Sequence, residues 1–408
     1  MTDTIAFLRQ NLRWLVPGML LTFLSCFGQT FFISLFAGEI RAAFDLSHSA
    51  WGNIYAAGTL ASAVLMVWAG VLTDHFRVRA LGAVVLALLI AACLAMAGAH
   101  AVWSLPFVIF ALRFAGQGML SHIAVVAMAR WFVATRGRAL AIAGLGFSFG
   151  EAILPIAVVS VLSAETWRSI WIIAACIVFA GIPTLIWLLN QERTPKSMVA
   201  SQHVAGMGGH HWTRRATLSH GLFWVMVPAL IGPSAFNTAF FFQQVHFAEI
   251  KGWQHIELVA FFPIFTLTGI VAMLATGWAI DRFGTAKLLP WFQLPMVASF
   301  LLFASANSVF GVFLGLILMG LTAGANGPLV SAFWAEFYGT RHIGAIKSAA
   351  AAVMVLGSAI GPAITGTFID FGIGLEQQYV GVALYFLIVC ATVGAGMARY
   401  APTIASRT

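Results

Sequence analysis

Charged side chains are scarce in this chain: Asp, Glu, Lys and Arg make up 8% of its 408 residues, against roughly a quarter in a water-soluble domain. So few charges cannot clothe a soluble surface, and 61% hydrophobic residues with a mean hydropathy of +0.94 exclude a soluble globule. Cysteine is also sparse. Cys26, Cys93, Cys176 and Cys390 all lie in apolar runs at no metal-ligand spacing, which leaves them as packing residues. No Gly-Lys-Ser/Thr phosphate loop occurs, so the sequence makes no provision for an ATP-driven pump. Strict polar–apolar alternation is absent as well, and with it a porin-like barrel.

What remains is a succession of apolar runs, each of about 20 residues and long enough to cross a hydrocarbon core of about 30 Å as a helix. Twelve are read, at 15–38, 51–72, 80–99, 105–128, 139–162, 168–189, 220–244, 258–279, 287–305, 309–332, 345–369 and 379–398. The fold class expected is therefore all-α integral membrane. The basic start before the first run does not make it a signal peptide, because the run is too long and has no clear small-residue cleavage site. The third run has no polar side chain besides Cys93 and reads as a lipid-facing helix.

Orientation follows from Lys and Arg in the short loops. Of the 21, seventeen fall on one side, three (Arg41, Arg168 and Lys251) on the other, and Arg113 inside a span. The richer side is expected to be cytoplasmic and to hold both termini. The net charge of +8 is then a topology signal and not a nucleic-acid surface.

The chain also echoes itself at half-length. Gly70-Val-Leu-Thr-Asp74-His-Phe-Arg77-Val-Arg79 follows the second span, and Gly277-Trp-Ala-Ile-Asp281-Arg282-Phe-Gly284-Thr-Ala-Lys287 follows the eighth. Phe132, Thr135 and Arg136 recur as Phe337, Thr340 and Arg341, and Gly146-x-x-x-Gly150 recurs as Gly357-x-x-x-Gly361. Three echoes at nearly one offset indicate a duplicated six-helix unit. The halves expected are 1–189 and 220–408, joined by a flexible cytoplasmic tether at 190–219. His210 and His211 lie in that tether without a Cys or carboxylate cluster, so no metal site is read there.

At these residues the chain resembles the major facilitator superfamily, whose Gly-x-x-x-Asp-x-x-x-x-[Arg/Lys] loop it carries twice. Position 77 holds Arg77 where that family usually has Gly, and the second copy has Lys287 alone at its basic end. Arg136-Gly-Arg-Ala-Leu-Ala-Ile, Phe337-Tyr-Gly-Thr-Arg341-His-Ile-Gly-Ala and Gly357-Ser-Ala-Ile-Gly-Pro362 look like the monocarboxylate and oxalate/formate branch. Carboxylate carriers of that branch commonly place a cation in span eight, whereas this chain has no Lys or Arg between 258 and 279. The resemblance implies two pseudo-symmetric six-helix bundles, alternating access about a mid-membrane site, and a solute carrier, not an enzyme, that works as a monomer without a cofactor. A bacterial inner membrane is the default location. The paired loops imply a gate in which Asp74 and Asp281 each latch onto a nearby Arg or a helix start of the same bundle.

Charges at membrane depth default to function or to a partner. Arg113 and Glu151 stand near mid-span on consecutive helices, at depths that let them meet. Either Glu151 carries a proton while Arg113 sets its affinity and holds an anion, or the two form a permanent packing pair. Arg113-Phe-Ala-Gly-Gln117-Gly resembles the superfamily's fourth-span motif; Gln117 shares the Arg113 face, and His122 lies one position round. Ser25, Gln29, Asn237, Gln244 and Asn326 are the polar residues expected to line the cavity, or else to glue helices. The two Gly-x-x-x-Gly pairs, the second followed by Pro362, allow close helix contact suited to hinging between bundles, although Glu151 stands where family exchangers commonly have Pro. Gly146-Phe-Ser148-Phe-Gly150 matches a nucleophile elbow but lies within a span, which removes a serine hydrolase. With 35 Phe and 14 Trp, an aromatic cavity for amphipathic compounds is the alternative to a small organic anion, with either solute coupled to protons.

Overall fold

A computed structural model describes residues 2–132, 135–190 and 205–400, apart from the side chains of residues 2–9, Asp74 and Arg136. All regular structure within them is helical, and ten helices are long and apolar enough to span a membrane. An eleventh span, α1, is broken: Gln10–Gly28 and Thr30–Phe44 meet at 44°. The rest are α2 His48–Ala69, α3 Val78–Ala97, α4 Val102–Trp131, α5 Arg136–Leu162, α6 Trp167–Leu188, α7 Gly221–Phe242, α8 His255–Phe283, α9 Leu294–Ser305, α10 Val309–Tyr338, α11 Ile343–Asp370 and α12 Leu375–Tyr400. The ninth is interrupted within its apolar run: Thr285–Leu288 is a helical turn, Leu289–Gln293 forms turns, and the long helix is Leu294–Ser305.

Local chemistry sets the ends. Ser47 accepts from the Ala50 amide and starts α2, as Thr166 does for α6 through Ser169. Arg168 donates to Ala97 O at 2.9 Å and Ala99 O at 2.6 Å, capping the last carbonyl of α3 and the chain just beyond it. Gly284 ends α8 with φ +75°, a left-handed conformation that costs glycine nothing.

The chain forms two compact units, 1–199 and 200–408, and their internal packing repeats. In the first, α1 packs on α5, α2 on α4 and α3 on α6; in the second, α7 packs on α11, α8 on α10 and α9 on α12. Each pairing recurs six spans later, which is the internal echo expressed as contacts. Gly146 and Gly361 mark close approaches at α1–α5 and α7–α11. A methyl on Gly146 would lie 2.0 Å from Met19 O, and one on Gly361 would lie 2.3 Å from Ala235 O. Gly150 meets Cys26 and Gly357 meets Ile231 in the same two interfaces, with Pro362 buried beside Gly361. These glycines therefore pack helices inside each unit, where the sequence suggested contact between bundles.

Large apolar side chains cover the outside, among them Val67 at 71% exposure and Trp187 at 70%, as a lipid-facing surface requires. The third span differs from its reading: Val84 and Leu88 face outward while Leu86, Leu89 and Cys93 are buried against neighbours, because a uniformly apolar helix can serve lipid and core at once. One cluster of phenylalanines is likewise core. Phe240 stacks on Phe303 at 4.4 Å, and Phe247, Phe300, Tyr379 and Phe386 close around them, all buried. They pack on one another.

The expected tether lies partly outside the described residues. Its remaining part, 205–219, is ordered against the second unit: Met207 is 3% exposed in a core with Phe337 and Tyr338, and Trp212 donates to Met207 O at 3.3 Å. Two apolar side chains anchor this polar stretch, so it is no free tether there.

Candidate functional site

The break in α1 and an irregularity in α4 face each other. After Ser25 the chain takes a tight turn over Cys26–Gly28, Gln29 is extended (φ −87°, ψ 156°), and the helix resumes at Thr30. Opposite it, α4 widens to a π-helix over Arg113–Leu120, a form that is rare and favours functional positions. The backbones nearly touch: a methyl on Gly116 would stand 2.6 Å from Gly28 Cα, and one on Gly28 would stand 2.1 Å from Leu112 O. Only glycine permits that approach.

Breaking a helix inside a membrane strands carbonyls that water cannot reach. Arg113, wholly buried, answers one of them: its Nη1 donates to Gly28 O at 3.2 Å. The cation thereby sits at the C-terminal, negative end of the first half-helix. Its guanidinium carbon lies 5.3 Å from the centre of the Tyr55 ring, and Tyr55 shares a short hydroxyl hydrogen bond with Thr30, just beyond the break. Arg113 Nε and Nη2 are buried with no hydrogen-bond partner among the described residues. An unmet buried donor costs about 1–3 kcal/mol, more when charged, so this group stands ready for an acceptor.

Glu151 is not that acceptor here. It is half-buried on α5, electrostatically next to Cys26, and no ion pair joins it to Arg113 among the described residues. The cause is azimuth: the π-segment of α4 packs on α1, α2 and α3, whereas α5 packs chiefly on α1. Matching depth therefore did not make them neighbours. Gln117 is half-buried in the π-segment, and His122 lies beside the loop after α2, its Nε2 3.4 Å from where a Gly70 methyl would be.

The remaining polar candidates divide. Ser25 is spent on its own helix, donating to Thr22 O at 2.6 Å, and Gln244 is wholly buried with His255 at 3.3 Å, so neither lines a cavity. Gln29 is half-buried at the break itself. Asn237 on α7 and Asn326 on α10 each keep a buried Oδ1 without a partner among the described residues, which matches a solute-facing amide better than a helix glue.

In the two loops, the described groups hold as follows. Arg130 donates to Thr73 O at 2.5 Å, and the Thr73 hydroxyl donates to Gly70 O at 2.8 Å; the Asp74 and Arg136 side chains lie outside the described residues. Arg77 is exposed and Arg79 half-buried with a partner. In the second copy Asp281 is exposed and in no ion pair among the described residues, Arg282 lies over Trp278 and Phe283, and Lys287 and Arg341 are exposed. Gly277 has open space around it. Glu336, from the end of α10, receives the Thr285 amide at 3.2 Å and its hydroxyl at 2.7 Å, directly after Gly284. The helix-start contact assigned to Asp281 thus belongs to Glu336. Sequence reasoning missed Gly28, Tyr55, Gly116 and Glu336; Gly116 inside the Arg113 motif was the one available signal.

Comparison with known proteins adds the following. The family model described as Major Facilitator Superfamily matches residues 18–362 and, overlapping, 264–404. The Multidrug resistance protein B homolog of Mycobacterium tuberculosis (strain CDC 1551 / Oshkosh) is 31% identical over 109 residues, covering 26% of this chain and 20% of that protein. The matched segment thus spans only a fifth of that relative's length. Among solved structures, a bacterial homolog to the human lysosomal transporter Spinster, inward-facing and occupied, aligns at TM-score 0.78 with 13% identity over 97% of this chain and 98% of that one. The nucleoside transporter NupG aligns at TM-score 0.70 with 15% identity over 95% and 99%. At such identities these likenesses speak to fold alone.

Proposed function

This chain belongs to the Major Facilitator Superfamily, and from that premise we propose that it is a secondary carrier of a small organic anion, with Arg113 as the charge that meets the anion. Its standing as a multi-pass membrane transporter for small solutes, and not an enzyme, comes with the family. The observation that carries the finer reading is the Arg113 guanidinium, buried at membrane depth with Nε and Nη2 unmet. A cation so placed gains nothing for folding from its unused donors, and a carboxylate offers the two coplanar oxygens that its fork fits. The monocarboxylate and oxalate/formate branch suits this solute.

In this scheme the halves 1–189 and 220–408 alternate access about the site, linked by 190–219 on the cytoplasmic side of a bacterial inner membrane, with both termini cytoplasmic. Glu151 takes up and releases the coupling proton in symport. The chain acts as a monomer, and the loops after α2 and α8 form the cytoplasmic gate. Gln117, Gln29, Asn237 and Asn326 orient the solute by hydrogen bonds. Export of amphipathic compounds is the second reading, favoured by the local likeness to the Mycobacterium tuberculosis protein.

Proteoliposomes under an imposed pH gradient test both. Uptake of labelled lactate or oxalate by the wild type, lost in Arg113→Gln and uncoupled from the gradient in Glu151→Gln, is the expected result. Anion uptake that survives Arg113→Gln would remove the anion site, and movement of a lipophilic cation alone would select the exporter.

A further inference from the structure

One groove on the second unit borders the loop after α8 and has no solute-binding role in that scheme. It lies between the irregular start of the ninth span and the end of α12, has a volume of about 500 Å³, and is lined by Ala286, Lys287, Pro290, Trp291, Gly394 and Met397, with Ala398 at its rim. Its making is local. Leu289–Gln293 runs as turns around Pro290, and Gly394 offers no side chain to fill the space, a methyl there lying 3.6 Å from Pro290 Cβ. Trp291, 66% exposed, forms an outer wall.

We propose that this groove holds an anionic phospholipid, its phosphate on the Lys287 ammonium and one acyl chain along Trp291 and Gly394. Two independent observations select this occupant. The first is charge: Lys287 is exposed, forms no ion pair among the described residues, and is the one charged group in an otherwise apolar lining. Glu336, on the packed α10, is engaged by Thr285, and Asp281, six residues before Lys287, is exposed and forms no ion pair among the described residues. The second is form: Pro290, Trp291, Gly394 and Met397 leave an apolar slot beside the lysine, which suits an acyl chain. Basic pockets between helices select anionic head groups.

The test is native mass spectrometry of the full chain released from nanodiscs containing equal phosphatidylglycerol and phosphatidylethanolamine, with thermal unfolding to confirm that each variant is folded. The wild type is expected to retain phosphatidylglycerol preferentially. Lys287→Gln is expected to lower that preference about five-fold, the effect of one lysine near a membrane surface. Gly394→Phe, which fills the groove, is expected to lower retention of both lipids. Arg399→Gln serves as the rim control, since Arg399 is exposed one residue beyond the lining and lies over Tyr400. Undiminished phosphatidylglycerol on Lys287→Gln, undiminished lipid on Gly394→Phe, or an equal loss on Arg399→Gln would each overturn the proposal.

Discussion

Replacing Gly116 by alanine asks whether the meeting of α1 and α4 is as close as described. The added carbon would lie 2.6 Å from Gly28 Cα and 2.8 Å from Gly28 N, both backbone atoms, and reaching ordinary contact at 3.4 Å requires the helices to part. Overpacking of that kind costs about 1–3 kcal/mol. Parting also stretches the 3.2 Å hydrogen bond from Arg113 to Gly28 O, and a bond to a charged group contributes about 1.5–3 kcal/mol. Against these stands a helix-propensity gain of about 1 kcal/mol. The net expectation is destabilisation by about 1.5–5 kcal/mol. Gly144→Ala supplies the control, since nothing lies within 4 Å of a methyl at that site on α5, and only the propensity gain remains. Thermal unfolding of both variants and the wild type in one detergent decides: Gly116→Ala should melt first and Gly144→Ala last. A midpoint for Gly116→Ala at or above that of Gly144→Ala would refute the close-contact reading.

Three further outcomes are expected. Glu336→Ala removes the acceptor for the Thr285 amide and hydroxyl, so hydrogen exchange at 284–288 should accelerate by ten-fold or more, about 1.4 kcal/mol of local stability; unchanged protection would sink the assignment. In the second unit Gly361→Ala, 2.3 Å from Ala235 O, should cost about 1–3 kcal/mol, whereas Gly374→Ala, with nothing within 4 Å, should not destabilise by packing; equal melting would contradict the α7–α11 contact. His220, at the start of α7, bonds Tyr338 OH at 3.2 Å between the rings of Trp212 and Tyr400, and burial pushes its imidazole below the ordinary 6.5. A depressed histidine favours the folded state above the unfolded pKa. The docking of 206–219 should therefore be fully present above about pH 6.5 and weaken as pH falls below it. Exchange of those amides, corrected for intrinsic rate, should rise on acidification in the wild type and not in His220→Gln; parallel curves would remove His220 as the cause.

The spans and their duplication were legible because each apolar run is long and the loop signatures repeat. Relations between helices were not. The run 15–38 is apolar enough to pass for one helix despite Ser25 and Gln29, and its break at Gln29 lies against Gly116 and Arg113, far away in sequence. Counting residues along α4 and α5 placed Arg113 and Glu151 at one depth, but depth is a single coordinate, and the angle that separates them depends on α1 lying between. The π-segment, which re-aims every side chain after Arg113, leaves no trace in composition. Asp281 was legible as a repeated acid, whereas Glu336 acts across 51 residues and has no counterpart at its echo position, which holds Trp131.

The bond from Arg113 to Gly28 spans 85 residues of chain, and this bears on how the protein is born. Synthesis runs at about 5–20 residues per second, so the first span waits roughly 4–17 s before its donor is translated. Through that interval the Gly28 carbonyl must be answered by water or by the insertion machinery, and the bend in α1 cannot be locked. The nascent first span is thus free to sit straight and shallow, and takes its final shape only when the fourth arrives beside it.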